Sequence, residues 1–285
     1  RKEEGRKEGR RMGNCFSPSL ANVAEFQPKK GSEFYSIPDQ YKSLQEVQQA
    51  LRAAGLESSN LILGVDFTKS NTWTGSKTFH GRCLHDVTMP GRPNPYQQVI
   101  SIVGRTLEAF DDDKLIPAYG FGDQYTADKS CFPFFPDNHP CFGFEEVLNR
   151  YNEITPGIVL AGPTNFAPII RESIKIVQEE NAYHILVIIA DGQVTNRKDT
   201  EDAIVEASKY PLSIICIGVG DGPWDLMEEF DDELPSRAFD NFQFVPFNNI
   251  MSKIPAGKNA DAIFATAALM EIPDQYKCIR KLRYL

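Results

Sequence analysis

Helical patterns alternate along most of this chain with short segments in which every residue is apolar. The clearest example is a predicted helix at residues 166–180, followed by the apolar run ILVIIA at residues 185–190. A strand that is apolar on both faces must be covered on both faces, as strands are in a parallel sheet with helices above and below it. The alternation therefore predicts an α/β fold, with a doubly wound, mostly parallel sheet and helices on both faces.

The same periodicity predicts the order of the elements. The first helix has Ser43 as its candidate N-cap and Gly55 near its C-terminal end. No second periodic unit lies outside this alternation, so a single large domain is expected. Helices are predicted at residues 43–56, 96–110, 144–154, 166–180, 199–210 and 259–272, and strands at residues 61–66, 114–122, 183–191, 212–220 and 242–247.

Charge and composition exclude several classes of function. The net charge is −9, with acidic residues concentrated in FDDDK and MEEFDDE, which disfavours a nucleic acid held by general electrostatics. The longest apolar run has six residues, far fewer than the ~20 of a membrane-spanning helix. Six cysteines without a CxxC pair argue against a zinc ribbon or a thioredoxin-like site and are typical of reduced thiols in a cytoplasmic protein.

The N-terminal segment, residues 1–40, is predicted to be disordered, because its first eleven residues are charged or glycine. The motif MGNCFS follows them. If Met12 is the initiator, this motif predicts N-myristoylation of Gly13, with Cys15 as a palmitoylation candidate. If translation begins upstream of Met12, Gly13 is never exposed; both alternatives stay open. The expected location is the cytoplasm or the nucleus, or the periphery of the plasma membrane if Gly13 is myristoylated.

Oxygen-bearing side chains cluster where predicted strands end. Asp66 ends the first strand and is followed on alternate residues by Thr68 and Ser70, while Asp191 ends a later strand and Thr164 lies in a loop. Ligands of doubly wound sheets bind beyond the carboxyl ends of the strands. Two carboxylates with several hydroxyls suit a hard divalent cation, Mg²⁺ or Mn²⁺, better than zinc. The alternative for the triplet alone is a helix cap or an Asx turn.

The motifs DFTKS, GPTNF and IIADG, in this order, resemble the metal-ion-dependent adhesion site of von Willebrand factor A domains. The longer segments NLILGVDFTKSN, LVIIADGQVT, SIICIGVGDGPW and DNFQFVPF resemble the A domain of copines and of the copine-related RING-domain ubiquitin ligases of the RGLG family. This resemblance covers residues 41–276 and implies one copine-type domain there, followed by a short basic tail at residues 277–285. The implied metal ligands are Asp66, Thr68, Ser70, Thr164 and Asp191.

The resemblance implies that the metal keeps a coordination position for an Asp or Glu of a partner protein. The first expectation is therefore a metal-ion-dependent protein-binding domain without catalytic residues of its own. The alternative is the substrate-binding part of an RGLG-type E3 ubiquitin ligase whose C-terminal RING is missing from this chain, with ubiquitination substrates as partners. A RING needs an array of zinc-binding Cys and His residues, whereas the last residues here contain only Cys278.

Three other features are weaker candidates for function. GVGDG at residues 218–222 is similar to a dinucleotide-binding loop but lacks the GxGxxG spacing. Cys83 and His85 are close in sequence but have no matching pair for a metal. The aromatic, proline-rich segment 128–144 is either a partner-docking loop or a long loop that buries its own aromatic side chains.

Overall fold

The computed structural model describes residues 42–56, 59–89, 91–107, 111, 113–192, 194–234, 236–255 and 257–285. The predicted disordered segment 1–40, with the lipidation candidates Gly13 and Cys15, lies outside these residues. Among the described residues, no helix combines the length and the apolar character needed to cross a bilayer.

The described helices and strands follow the predicted alternation. The helices are α1 (Leu44–Ala54), α2 (Pro95–Leu107), α3 (Gly143–Ile154), α4 (Ala167–Glu180), α5 (Arg197–Ala207), α6 (Asp225–Asp232), α7 (Phe247–Lys253), α8 (Ala260–Leu269) and α9 (Ile272–Leu282). The strands are β1 (Asn60–Asp66), β2 (Leu115–Ile116), β3 (Ala118–Phe121), β4 (Cys131–Pro133), β5 (Cys141–Phe142), β6 (His184–Ala190), β7 (Leu212–Gly218) and β8 (Phe242–Pro246).

The main sheet has six strands in the order β4-β3-β1-β6-β7-β8. Every neighbouring pair is parallel except β3 and β4, which are antiparallel at one edge. The short strands β2 and β5 form a separate antiparallel ribbon. The predicted doubly wound, mostly parallel α/β fold is confirmed.

Several short elements differ from the predicted ones. The single strand expected at residues 114–122 is two strands, β2 and β3, separated at Pro117, which has no N–H to donate to a neighbouring strand. β4, β5, α6, α7 and α9 were not predicted. Two or three residues are too few for a periodic pattern, and β4 and β5 lie within the proline-rich segment 128–144. In that segment Phe134 is buried and Phe142 is exposed.

The sheet is covered on both faces, and two apolar clusters form the core. Leu61, Leu63 and Val65 of β1 pack in the cluster that includes residues of α1, α2, α3, α8 and α9. Ile62, on the opposite face, packs in the cluster that includes residues of α4, α5 and α6. Gly64 allows α4 to approach closely, because a Cβ there would lie 2.9 Å from Cγ1 of Ile169.

Capping residues define the ends of α1, and packing against α1 holds the C-terminal helix α9. Ser43 caps α1 by accepting a hydrogen bond from the Glu46 amide, and Gly55 ends the helix in the left-handed conformation, as predicted. α9 packs against α1 and extends to Leu282, with Ile279 fully buried. Residues 277–282, which the sequence suggests are the start of a basic tail, thus continue the folded domain.

Candidate metal-binding site

The two carboxylates of the candidate site lie at the centre of the sheet. β1 and β6 are adjacent and parallel, and Val65 is paired in register with Ile189. Strand β3 lies on one side of β1, and β6, β7 and β8 follow on the other, so the connections change direction between β1 and β6. Asp66 ends β1 and Asp191 follows β6, which places both residues at the switch point where doubly wound sheets bind ligands.

Asp66 is a buried carboxylate with only part of its hydrogen-bonding capacity satisfied. Its Oδ1 accepts a hydrogen bond from the Thr68 amide at 2.8 Å, the arrangement of an Asx turn. Its Oδ2 is buried and accepts no hydrogen bond of ordinary geometry from a described residue. Burial raises the pKa of Asp66 well above its usual value, and the nearby charge of Asp191 raises it further. A cation close by would stabilise the ionised form of Asp66, which this environment otherwise disfavours.

The hydroxyls predicted to face the same point are in contact. Thr68 Oγ1 and Ser70 Oγ are 2.9 Å apart. Thr68 precedes the 3₁₀ helix Lys69–Thr72, but its side chain makes no capping hydrogen bond. The alternative of a helix cap is therefore not supported for Thr68, whereas the Asx turn is present and the two hydroxyls are hydrogen-bonded to each other.

A small cavity brings the distant loop of Thr164 to the same place. The cavity measures about 140 Å³, and its lining includes Thr68, Ser70 and Thr164. The Lys69 amide donates to Ala161 O at 2.7 Å, which attaches the loop to the end of β1. Three of the five predicted ligands thus share one cavity, and the other two, Asp66 and Asp191, are close enough for their charges to interact.

Thr74 belongs to the site but carried no recognisable signal in the sequence. Its hydroxyl lies 3.0 Å from Asp191 Oδ2 and 3.0 Å from Ser70 O, so that its single proton is shared between two acceptors. This contact connects the loop after β1 to the end of β6. The connection spans 117 residues, which is why neither motif reveals it.

Behind the carboxylates lies a buried polar scaffold built around His85. A carbonyl can only accept, so His85 Nε2–H donates to Asp66 O at 2.7 Å, and Nδ1 accepts from the Tyr151 hydroxyl at 2.8 Å. Burial lowers the pKa of His85 to about 3, which keeps the ring neutral. Asn71 donates to Thr68 O at 3.1 Å and accepts from the Tyr96 hydroxyl at 2.7 Å. His85 therefore supports the backbone of Asp66 and has no free nitrogen for a metal.

Gly192 is required immediately after Asp191. Its φ is +97°, in the region that favours glycine, and a Cβ there would clash with the Trp224 ring. The sharp turn predicted at this residue is therefore present, and Trp224 packs against it.

In the glycine-rich segment 218–222, Asp221 binds the loop formed by residues 76–78. Asp221 accepts hydrogen bonds from the Ser76 hydroxyl at 2.7 Å, the Lys77 amide at 2.8 Å, and the amide and hydroxyl of Thr78 at 2.8 and 2.7 Å. Burial alone would raise the pKa of Asp221, but these four donors outweigh it and lower the pKa to about 2. The segment thus acts as a clamp for residues 76–78.

The donor set of the candidate site fits a hard divalent cation. It consists of two carboxylates and three hydroxyls, all of them oxygen. Among the described residues, no group of three or more His, Cys, Asp and Glu side chains is arranged to hold a metal. The Oδ2 of Asp66, which is buried without a well-placed donor, is consistent with a cation held by mixed carboxylate and hydroxyl ligands.

Comparison with known proteins gives consistent family matches. The family model described as Copine matches residues 83–285. The E3 ubiquitin-protein ligase RGLG1 of Arabidopsis thaliana is 54% identical over 281 residues, which cover 94% of this chain and 57% of that protein. RGLG4 of the same plant is 51% identical, with 94% and 69% covered. Copine family protein 2 of Caenorhabditis elegans is 55% identical over 254 residues, 88% of this chain and 3% of that protein.

Solved structures overlap less closely. The SpRpn10 VWA domain is 11% identical with a TM-score of 0.47, covering 73% of this chain and 93% of that one. Manganese-loaded TRAP of Plasmodium vivax is 14% identical with a TM-score of 0.44, covering 72% and 74%. The fold assignment accordingly relies on the strand order described above. The chain spans 57% and 60% of the lengths of the relatives RGLG1 and RGLG2.

Proposed function

Because this chain belongs to the copine family, we propose that it is a metal-ion-dependent domain that binds acidic side chains of partner proteins. The resemblance to copines and RGLG ligases is confirmed by the matches above. The metal would be Mg²⁺ or Mn²⁺, held by oxygen ligands at the carboxyl ends of β1 and β6. Its proposed ligands are Asp66, Thr68, Ser70, Thr164 and Asp191.

The observation that carries this proposal is the state of Asp66. A fully buried carboxylate beside a second one, with an oxygen that has no donor among the described residues, is costly unless a cation compensates it. Two carboxylates supply two negative charges, which balance a divalent cation without making the site anionic. A bound cation would supply the positive charge that attracts a carboxylate of the partner.

The protein's own residues determine how that charge would be presented. The Asx turn holds Asp66 Oδ1, the Thr74 hydroxyl orients Asp191, and His85 supports the backbone of Asp66. These contacts pre-organise the ligands before a cation enters. The function that we propose from this arrangement is binding of a partner's carboxylate.

The proposal can be tested by calorimetric titration of Mg²⁺ and Mn²⁺ into the wild type and into Asp66→Ala. The wild type should give a saturating heat and Asp66→Ala none. Asp123→Ala is a matched control, since Asp123 also follows a strand of this sheet edge but accepts hydrogen bonds from both the amide and the hydroxyl of Thr126. Equal heats from the wild type and Asp66→Ala would contradict the proposed metal site.

A second candidate function is recognition of ubiquitination substrates within an RGLG-type E3 ligase. It is favoured by identities of 51–54% to RGLG1 and RGLG4 over 94% of this chain. In this case transfer of ubiquitin would depend on a RING finger carried by the full-length protein. The test is to read the transcript downstream of the codon for Leu285. An in-frame Cys/His array would support the ligase, and an early stop codon would support the binding domain alone.

A pull-down from cell extract, with and without a chelator, tests the partner class. Partners that depend on a metal should be lost in chelator and lost to the same extent with Asp66→Ala. Partners retained in both conditions would contradict metal-dependent binding.

For the location, we propose the cytoplasm or the nucleus, with attachment to the plasma membrane only if Gly13 is myristoylated. Mass spectrometry of the mature N-terminus decides between the alternatives. A myristoylated peptide beginning at Gly13 supports the membrane, and a peptide beginning before Met12 rules out acylation of Gly13.

A further inference from the structure

The size of the cavity beside the candidate site limits what can enter it. Its volume is about 140 Å³, and its lining includes Thr68, Ser70 and Thr164. A water molecule takes up about 30 Å³, so the cavity has room for roughly four or five waters or for one carboxylate side chain. Small-molecule pockets are commonly about 300 Å³ or larger. The occupant is therefore a single side chain, and the rest of the partner must lie on the surface around the opening.

Three large apolar side chains on segments connected to the candidate site are exposed to water. Trp73 lines the cavity and is 54% exposed. Tyr125 is 86% exposed and Val159 is 53% exposed. We name these three residues the apolar rim.

Backbone contacts tie the apolar rim to the metal ligands. The Gln124 amide, next to Tyr125, donates to Val159 O at 3.0 Å. Two residues beyond Val159, Ala161 forms a bridge with Thr68. Trp73 follows the 3₁₀ helix that begins after Thr68 and contains Ser70. Each member of the rim thus lies on a segment that also carries, or pairs with, a proposed metal ligand.

A single exposed apolar residue is ordinary on a protein surface and requires no explanation. Here, however, an aromatic residue half exposed to water forms part of the wall of the cavity, and two more apolar residues lie on the neighbouring loops. Tryptophan and tyrosine are the residues that most often dominate binding energy at protein interfaces. Lys69 is also exposed and lines the same cavity, so the mouth of the cavity carries a positive charge that complements an acidic segment.

We propose that the apolar rim selects partners by the residue next to the acid. On this proposal, which rests on the proposed function, the domain binds protein segments in which an Asp or Glu stands beside a bulky apolar residue. The carboxylate enters the cavity, and the neighbouring apolar side chain packs on Trp73 or on the surface formed by Tyr125 and Val159. This surface, rather than the metal ligands, would set the specificity of the domain.

The proposal is tested with two fluorescein-labelled peptides and the full chain in Mg²⁺. One peptide has the sequence Gly-Ser-Phe-Asp-Phe-Ser-Gly and the other Gly-Ser-Ser-Asp-Ser-Ser-Gly. Fluorescence polarisation should show about tenfold tighter binding of the Phe-flanked peptide, which corresponds to burial of one aromatic side chain. The preference should fall below about twofold in Trp73→Ser combined with Tyr125→Ser, while calorimetry shows an unchanged affinity for Mg²⁺.

Leu115→Ser is the matched control, because Leu115 is an exposed apolar residue on the β2–β5 ribbon, away from the rim. It should leave the preference intact. Equal Mg²⁺-dependent binding of both peptides would overturn the role of the rim while retaining the metal site. Absence of peptide binding despite a normal Mg²⁺ titration would also overturn it. Preferential binding of the Phe-flanked peptide that persists in chelator and in Asp66→Ala would instead overturn the metal-dependent function.

Discussion

Two aspartates near the same edge of the sheet have opposite environments. Asp221, in the loop after β7, accepts four hydrogen bonds from residues 76–78, and its pKa is lowered to about 2. Asp66, at the end of β1, accepts one hydrogen bond of ordinary geometry, from the Thr68 amide. Its Oδ2 meets no donor at such geometry among the described residues, and its pKa is raised. Protein donors therefore satisfy the first carboxylate, whereas the second keeps an oxygen that the proposed cation would use.

This contrast separates a carboxylate that stabilises the fold from one that is a candidate metal ligand. Both residues follow strands, and both lie in motifs with hydroxyls or glycines around them. What distinguishes them is the number of donors that the surrounding chain supplies. A carboxylate with a full set of donors gains little from a cation, whereas a buried carboxylate with few donors pays a desolvation cost that a cation removes.

The largest effect is expected for Asp66→Asn, which tests whether Mg²⁺ stabilises the protein through Asp66. At a Mg²⁺ concentration a hundredfold above the dissociation constant, the wild type should gain about 2.7 kcal/mol of unfolding free energy relative to chelator, and the variant none. In chelator the variant should be at least as stable as the wild type, because a buried charge has become a neutral amide. Thermal or urea unfolding in both conditions measures these changes. A metal-induced gain that persists in the variant would contradict the assignment.

Asp221→Ala should show the opposite behaviour, with a lower unfolding free energy and an almost unchanged Mg²⁺ affinity. Loss of the acceptor for four donors should lower the unfolding free energy by about 2 kcal/mol, since the loop is partly exposed and water replaces some of the bonds. The Mg²⁺ affinity should change by less than about twofold. Because the folded pKa of Asp221 is below its usual value of 3.8, its contribution is present above that pH and is lost as the pH falls towards 2.

For Asp221, urea unfolding at neutral pH and at acid pH makes the measurement, and Asp221→Asn, which keeps one acceptor oxygen, is the matched control. A loss of metal binding in Asp221→Ala together with normal stability would reverse the roles assigned to the two aspartates.

A smaller effect is expected at the hydroxyl ligands. Thr164→Ala removes one neutral oxygen from the cavity and should weaken Mg²⁺ binding about tenfold, or about 1.4 kcal/mol. Thr164→Ser retains the oxygen and should bind within about twofold of the wild type. Calorimetric titration of Mg²⁺ into the wild type, Thr164→Ala and Thr164→Ser measures the three affinities. If Ala and Ser substitutions have equal effects, the Thr164 hydroxyl is not a ligand.

The smallest effect concerns the scaffold behind Asp66. The pKa of His85 is about 3 in the folded protein and 6.5 in its unperturbed state, so both states are neutral above pH 6.5. Below that pH the unfolded chain binds the proton first, and stability falls until the pH approaches 3. Between pH 6.5 and 5.5 this loss amounts to about 1 kcal/mol. His85→Gln should be less stable overall but should show a shallower decline over this range in urea unfolding. Parallel declines would mean that His85 is not buried as a neutral ring.

Much of the site follows from local rules. Asp66, Thr68 and Ser70 alternate after an apolar run, so a strand end that turns brings their side chains together, and the structure shows the two hydroxyls in contact. Asp191 follows a second strand of the same kind. The sequence also places Gly192 where a turn with positive φ is needed.

Other parts of the site carry no local signal. Thr74 contacts Asp191 across 117 residues, and His85 reaches Asp66 O from a loop that resembles any other polar loop. The segment GVGDG looks like a nucleotide-binding loop, yet Asp221 clamps residues that lie 143–145 positions earlier in the chain. The apolar rim also carries no signal in the sequence, because the exposure of each side chain depends on what packs beside it in the folded protein.

The alternation of helices and buried strands can be read from the sequence alone, and with it the doubly wound sheet and the edge at which Asp66 and Asp191 emerge. The physical reason is that burial on two faces imposes a periodic pattern that any local window can show. Which carboxylate receives a full set of donors depends on the folded protein, because the donors to Asp221 come from a segment far away in the chain. That distribution of hydrogen bonds ties Asp221 into the fold and leaves Oδ2 of Asp66 without a well-placed donor, as the proposed cation site requires.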